Sequence, residues 1–144
     1  MSWQQGACEL CELATAPIYR DNKLTVIMVD DPNYPGFCRV IWNDHVKEMS
    51  DLNPTERLLL NEAVYRVETA LREVLAPTKV NVASLGNVVP HLHWHVIPRF
   101  ADDAHFPNPV WAAAVRTPDE QTLAARRARL PQLAAAIERR MSKL

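Results

Sequence analysis

Residues His91-Leu92-His93-Trp94-His95-Val96-Ile97 alternate imidazole and apolar side chains. In an extended strand successive side chains point to opposite faces, and residues i and i+2 stand ~6.6–6.8 Å apart. The segment therefore predicts a strand from His91 to Ile97 with Leu92, Trp94 and Val96 turned into a core. His91, His93 and His95 form a row of imidazoles on the other face. A core must be built against the apolar face while the histidine face stays free for chemistry.

The rest of the chain has the material for that core. With three glycines in 144 residues, the sequence lacks the many tight turns of an all-β sandwich or jelly roll, so helices must carry much of the chain. Asn53-Pro54-Thr55-Glu56 combines an N-cap, a proline at the first helical position and a glutamate placed for a capping box. Leu60, Val64, Val67, Leu71 and Val74 follow at helical spacing, predicting an amphipathic helix from Pro54 to about Leu75 that Pro77 stops. Strands are expected at Ile18 to Arg20, Leu24 to Val29, Phe37 to Trp42 (broken only by Arg39) and Lys79 to Leu85. Past Phe100, a proline-bearing surface segment leads into Asp119 to Leu144, rich in Ala, Leu and Arg and read as helix interrupted at Pro131, its basic residues forming a solvated face.

At this length and 48 % apolar content, one domain is the expectation. The formal charge of −1 gives no global field for a polyanion or an anionic membrane surface, so any phosphate recognition must be local and no nucleic-acid or membrane partner is expected. No N-terminal run reads as a secretory signal and no apolar stretch reaches the ~20 residues of a membrane span, which predicts a soluble, cytoplasmic protein. Three cysteines, an odd number, argue against a disulfide framework; Cys38 lies in an apolar run and reads as core.

Two chemistries fit the histidine row. A His-x-His pair on a strand can hold zinc or iron when a carboxylate or third histidine converges, but no Asp or Glu follows nearby before Asp102. Alternatively, a neutral imidazole attacks phosphorus while its neighbours fix its tautomer and assist the leaving group, which uses every histidine of the row.

The segment His91 to Ile97, with Pro98-Arg99 after it, resembles the signature of the histidine-triad (HIT) superfamily, three histidines each followed by an apolar residue. The likeness extends through Gly86-Asn87-Val88-Val89-Pro90, the helix, the Pro35-Gly36 strand, Asp44-His45-Val46 and the N-terminal Cys-x-x-Cys. It implies an α+β HIT-like fold with about five mostly antiparallel strands, one long helix on the sheet and a C-terminal helical tail. The domain would span residues 1–110, followed by a loop and helical tail over 111–144. The implied activity is a nucleotide hydrolase or transferase acting on a phosphoanhydride or phosphoramidate bond, as a homodimer, with an adenine nucleotide favoured.

By the same resemblance His93 is the nucleophile and forms a nucleotidyl-imidazole. His95 contacts phosphate or leaving-group oxygens, and His91 orients the row. Asp30 matches the acceptor of the ribose hydroxyls, with Asp31 as its neighbouring alternative and a plain acidic loop as the other reading. In the compact Asn81 to Pro90 segment, Asn81, Asn87 and Val88 occupy substrate-side positions. Val88 stands where a hydroxyl is expected, leaving phosphate binding to Asn87 and backbone N–H groups. Phe37 stands where many members place a fourth histidine.

Cys8 and Cys11 have zinc-knuckle spacing, which alone does not make a site. The resemblance supplies partners: several bacterial members bind zinc through such a pair with histidines matching His45 and His91, as a structural ion not required for catalysis. His45 otherwise reads as an exposed loop histidine. The segment His105-Phe106-Pro107 to Trp111 resembles the loop that shapes the leaving-group side of the pocket; the other reading packs Trp111 on its own domain. Three rivals stay open: nucleotidyl transfer to a phosphate acceptor, a nucleotide-binding dimer with little turnover, and a histidine-ligated metalloenzyme.

Overall fold

A computed structural model describes residues 8–144, so the start of the expected 1–110 domain lies outside the described residues. Five strands, β1 (Tyr19–Arg20), β2 (Leu24–Met28), β3 (Cys38–Trp42), β4 (Lys79–Ala83) and β5 (His93–Arg99), form one sheet in the order β1-β2-β3-β5-β4. Every pairing is antiparallel. The helix α1 (Pro54–Leu75) links β3 to β4, and α2 (Glu120–Arg127) and α3 (Leu130–Met141) close the chain. This is the expected α+β architecture.

Local signals set α1 with the predicted bounds. Asn53 accepts from the Glu56 amide at 2.9 Å while Glu56 accepts from the Asn53 amide at 3.0 Å, satisfying two otherwise orphan donors. The helix ends at Ala76 in the left-handed conformation, immediately before Pro77. Leu60, Ala63, Val67, Ala70, Leu71 and Val74 lie against Val26, Val40, Trp42, Val80 and Val96 in one buried cluster. Cys38 is also in that core, and burial pushes its thiol pKa up to about 12.

The tail contributes to this cluster as well: Leu133, Ala136, Ile137 and Met141 of α3 are buried in it. The break between α2 and α3 falls at Ala128 and Arg129, before Pro131, which occupies the first turn of α3, where a missing N–H leaves no helical bond unmade. Gly36, at a positive φ of 94°, lets the chain pass under both helices before β3; a Cβ there would meet Leu75 Cδ1 at 2.5 Å.

The strand carrying the histidines is displaced from the predicted one. It starts at His93 and runs on through Pro98 to Arg99. Pairing with β3 ends at Val96, so Pro98 has only β4 beside it and its missing donor breaks no ladder with β3. His91 lies before the strand because its peptide groups bond elsewhere: its N–H goes to Val89 O and its carbonyl to the His93 ring. Leu92 and Trp94 pack with the α1-side core as expected. Among the described residues no helix is long and apolar enough to cross a membrane.

Candidate active site and metal centre

The face of the sheet opposite α1 carries the site. The register pairs Arg39 of β3 with His95 and Ile41 with His93, so these four side chains share that face. His93 and His95 are each only 6 % exposed, with ring centroids 4.9 Å apart and ring planes at 80°.

The His93 tautomer follows from one contact. Its Nδ1 lies 2.6 Å from His91 O, a carbonyl that can only accept, so Nδ1 carries the proton and Nε2 the lone pair. Burial lowers the His93 pKa, opposed by the bond to His91 O and reinforced by the Arg39 charge, which keeps the ring neutral near pH 7. A buried, neutral imidazole with a committed Nδ1–H keeps its lone pair on Nε2, the form that a nucleophilic histidine requires.

His95 is pushed down to about 4 by burial, His93 and Arg39. Phe37 meets its ring edge-on at 5.7 Å, and Trp111 lies 5.2 Å away on another side. Neither supplies an acceptor for His95 Nδ1, which is buried without a hydrogen-bond partner among the described residues. Phe37 therefore replaces a relaying group with an apolar wall, and His95 acts as a neutral imidazole.

A cavity of about 400 Å³ opens over His93 and His95. Leu10, Leu85, Val88, Val89 and Trp111 supply apolar walls, with Arg39, Glu9 and Asn87 as polar groups. Such a space holds a small organic ligand against a few convergent polar atoms. Asn87 and Val88 line this cavity, Val88 being 88 % exposed at its mouth. Asp30 and Asn81 do not line this cavity. Asp30 is exposed beyond the end of β2, and the Asn81 side-chain oxygen accepts from Arg99 at 2.7 Å. Asp31, the alternative to Asp30, accepts from the Asn33 amide in its own turn.

No motif in the sequence gives Arg39 or the Arg99 network a role. Arg99 is buried and forks onto Asp103 at 2.8 and 3.1 Å, while also reaching Asn81 and the Asn108 carbonyl. Asp103 accepts from the amides of Phe100, His105 and Phe106 and from the Tyr34 hydroxyl, and its pKa is held far below the usual carboxylate range. This network pins the loop that brings Trp111 over His95. The parity of Arg39 with the site face was the one available signal for it.

His91 turns away from the cavity into a second cluster. Cys8, Cys11, His45 and His91 each offer one ligand atom, all within 4.8 Å of one another. His91 Nδ1 lies 3.4 Å from both sulfurs and 3.1 Å from His45 Nδ1, and Cys11 Sγ lies 3.3 Å from His45 Nδ1. Four ligands at tetrahedral zinc distances stand about 3.3–3.8 Å apart, so the spacing fits zinc. The His91 tautomer fits as well: Nε2 donates to Trp42 O at 2.6 Å, leaving Nδ1 unprotonated for a metal.

A sheet presenting two buried, neutral histidines over an apolar-walled cavity, with a cysteine-histidine cluster behind it, is the framework of a protein that holds a small organic ligand. The sequence pattern of the HIT domain matches residues 11–102, and the chain belongs to that family. Over 88 residues it is 31 % identical to the asymmetrical bis(5'-nucleosyl)-tetraphosphatase of Schizosaccharomyces pombe, covering 57 % of this chain and 48 % of that protein. The chain thus spans about half the length of the curated relative it matches. A histidine-triad protein from Bradyrhizobium japonicum is 30 % identical, with a TM-score of 0.70 covering 88 % of this chain and 90 % of its own. A Zn-bound histidine triad family protein from Mycobacterium smegmatis is 26 % identical, with a TM-score of 0.60 covering 92 % and 99 %.

Proposed function

We propose that this protein hydrolyses nucleotidyl phosphoanhydride or phosphoramidate bonds, of the dinucleoside polyphosphate or adenosine phosphoramidate type, through a nucleotidyl-His93 intermediate. The observation that carries this reading is the 2.6 Å contact from His93 Nδ1 to His91 O, which commits the Nε2 lone pair to the cavity side of the chemistry. The tetraphosphatase activity named for the Schizosaccharomyces pombe relative supports the substrate class.

In the first half-reaction His93 Nε2 forms a bond to the nucleotidyl phosphorus, and the bond from phosphorus to the leaving group breaks with its electron pair, a leaving phosphate departing as the anion and a leaving nitrogen taking a proton from solvent to depart as the amine. His95, neutral, donates an N–H to the charge that develops on oxygen. Water then attacks the same phosphorus, the P–N bond breaks back to His93, and the water proton leaves with solvent. Asp30 is the proposed ribose contact, which requires the loop bearing it to approach the ligand, and Asn87 a phosphate contact. Asn81 acts through Arg99 on the loop behind the site.

Zinc, held by Cys8, Cys11, His45 and His91, supplies a structural cross-link and takes no part in bond making. The protein works in the cytoplasm as a homodimer; exposed Leu58 and Tyr65, two turns apart on α1, and Val82 on the edge strand β4 suit a self-association face.

The test is a panel of adenosine phosphoramidate, dinucleoside polyphosphates and nucleotide sugars, each with and without added phosphate, alongside His93→Ala. Release of a nucleoside monophosphate without added phosphate, with a His93-linked nucleotide seen by mass spectrometry, is expected. A requirement for phosphate turns the assignment to a transferase. Turnover equal to that of His93→Ala, with no adduct, leaves a nucleotide-binding module.

A further inference from the structure

The cavity contains a cation with no hydrogen-bond or ion-pair partner among the described residues. Each of the other buried or half-buried arginines has an acceptor: Leu52 O for Arg57, Glu62 for Arg66, Asp103 for Arg99, Asp102 for Arg126, Glu120 for Arg127 and Glu73 for Arg140. Arg39 alone has neither hydrogen bond nor ion pair among the described residues, and its Nε is buried. Glu9 lines the same cavity but is exposed at its rim and does not pair with Arg39.

Holding a cation here carries a desolvation cost. A guanidinium held partly out of water loses hydration that no carboxylate replaces. Its backbone is fixed by the β3 to β5 ladder opposite His95, and its charge acts on both imidazoles. A charge so placed is offset when an anion arrives. The planar fork of donors matches phosphate oxygens better than a single ammonium would.

We propose that Arg39 is the phosphate-binding and specificity-determining residue of this cavity, holding non-bridging phosphate oxygens of the ligand beside His93 and His95. The assignment rests on the nucleotidyl reading above and deepens it. Val88 provides no hydroxyl for the phosphate, and Arg39 supplies the interaction from the sheet instead of from the loop. The site therefore selects ligands by phosphate charge: a nucleoside monophosphate over its nucleoside, and a polyphosphate chain over a neutral leaving group.

Calorimetric titration of the full chain with AMP, adenosine and inorganic pyrophosphate tests this, using wild type, Arg39→Met and Arg39→Lys at low and high salt. Wild type is expected to bind AMP at least ~10-fold tighter than adenosine, with the preference shrinking as salt rises. Arg39→Met should lose ~10-fold or more for AMP and pyrophosphate while binding adenosine as before, and Arg39→Lys should keep part of the preference. Unchanged adenosine binding and thermal midpoint verify the fold; if Arg39→Met is unfolded, the wild-type salt dependence and Arg39→Lys decide. An AMP to adenosine ratio untouched in Arg39→Met, or absent in wild type together with no pyrophosphate binding, overturns the assignment. Pyrophosphate binding lost on Arg39→Met, in a protein that neither binds nor turns over nucleotides, would keep Arg39 and reject the nucleotidyl reading. Wild-type KM for nucleotides in Arg39→Met would do the reverse.

Discussion

His91 and His93 are joined by a bond that runs from ring to backbone: His93 donates Nδ1–H to His91 O at 2.6 Å. The His91 ring meanwhile faces Cys8, Cys11 and His45, and its Nε2–H is fixed on Trp42 O. The residue that sets the His93 tautomer is thus the residue that ties the sheet to the cysteine pair.

His93→Ala is expected to lower kcat by at least ~10³-fold on any substrate that wild type turns over, since no neighbour offers a second nucleophilic nitrogen with the same committed tautomer. The check is single-turnover kinetics with mass spectrometry for the phosphorus-bound adduct. Residual turnover within tenfold of wild type would remove His93 from the nucleophile role.

Purified protein should carry about one zinc ion per chain, and Cys11→Ser or His45→Ala should lose it. Because His91 is shared, metal loss is expected to lower the thermal midpoint by several degrees and to reduce kcat partially, by loosening the carbonyl that orients His93. Elemental analysis with parallel melting curves checks both, and a metal-free wild type with an unchanged midpoint would discount the cluster as a zinc site.

How far the sequence could foretell this arrangement depended on how local each signal was. The capping box of Asn53 and Glu56 and the apolar spacing behind it are contained in the helix they describe, so α1 came out with its bounds intact. The alternation of residues 91–97 located the histidine face but not where the ladder begins, because His91 leaves the sheet through contacts with Val89 and Cys8, partners distant or irregular in sequence. Arg39 looked like a flaw in an apolar strand; only the register that sets it opposite His95 gives it a role. Asn81 sits on the substrate side by sequence position alone, and its capture by Arg99, eighteen residues on, is set by the β4 to β5 pairing.

Gly36→Ala tests the packing under the site. The added methyl would meet Leu75 Cδ1 at 2.5 Å and Leu133 Cδ2 at 3.3 Å, on a residue whose φ of 94° disfavours any side chain. Overpacking and backbone strain together are expected to cost about 2–4 kcal/mol, a fall in thermal midpoint of roughly 5–15 °C. Differential scanning calorimetry measures it; a loss under 2 °C would mean that the turn relaxes freely. Since Phe37 follows directly and meets His95 edge-on, reduced substrate affinity should accompany the loss.

Stability should fall on acidification before the carboxylates titrate. His95 has a folded pKa pushed down to about 4 from an unfolded value of about 6.5, through burial first and the nearby His93 and Arg39 second. Above pH 6.5 both states are neutral at this ring and its stabilising contribution is fully present. As pH falls from 6.5 toward 4 the unfolded chain takes up a proton that the folded chain refuses, and the contribution is lost. His93 is shifted in the same direction and steepens the decline, whereas Asp103, held below the usual carboxylate range, adds its own loss only at still lower pH. Denaturant midpoints from pH 7 to 4 should therefore drop for wild type. His95→Gln should flatten the slope by about one proton, ~1.4 kcal/mol per pH unit at its steepest. Equal slopes in the two proteins would place the His95 ring in contact with water and undo the account of why it is neutral.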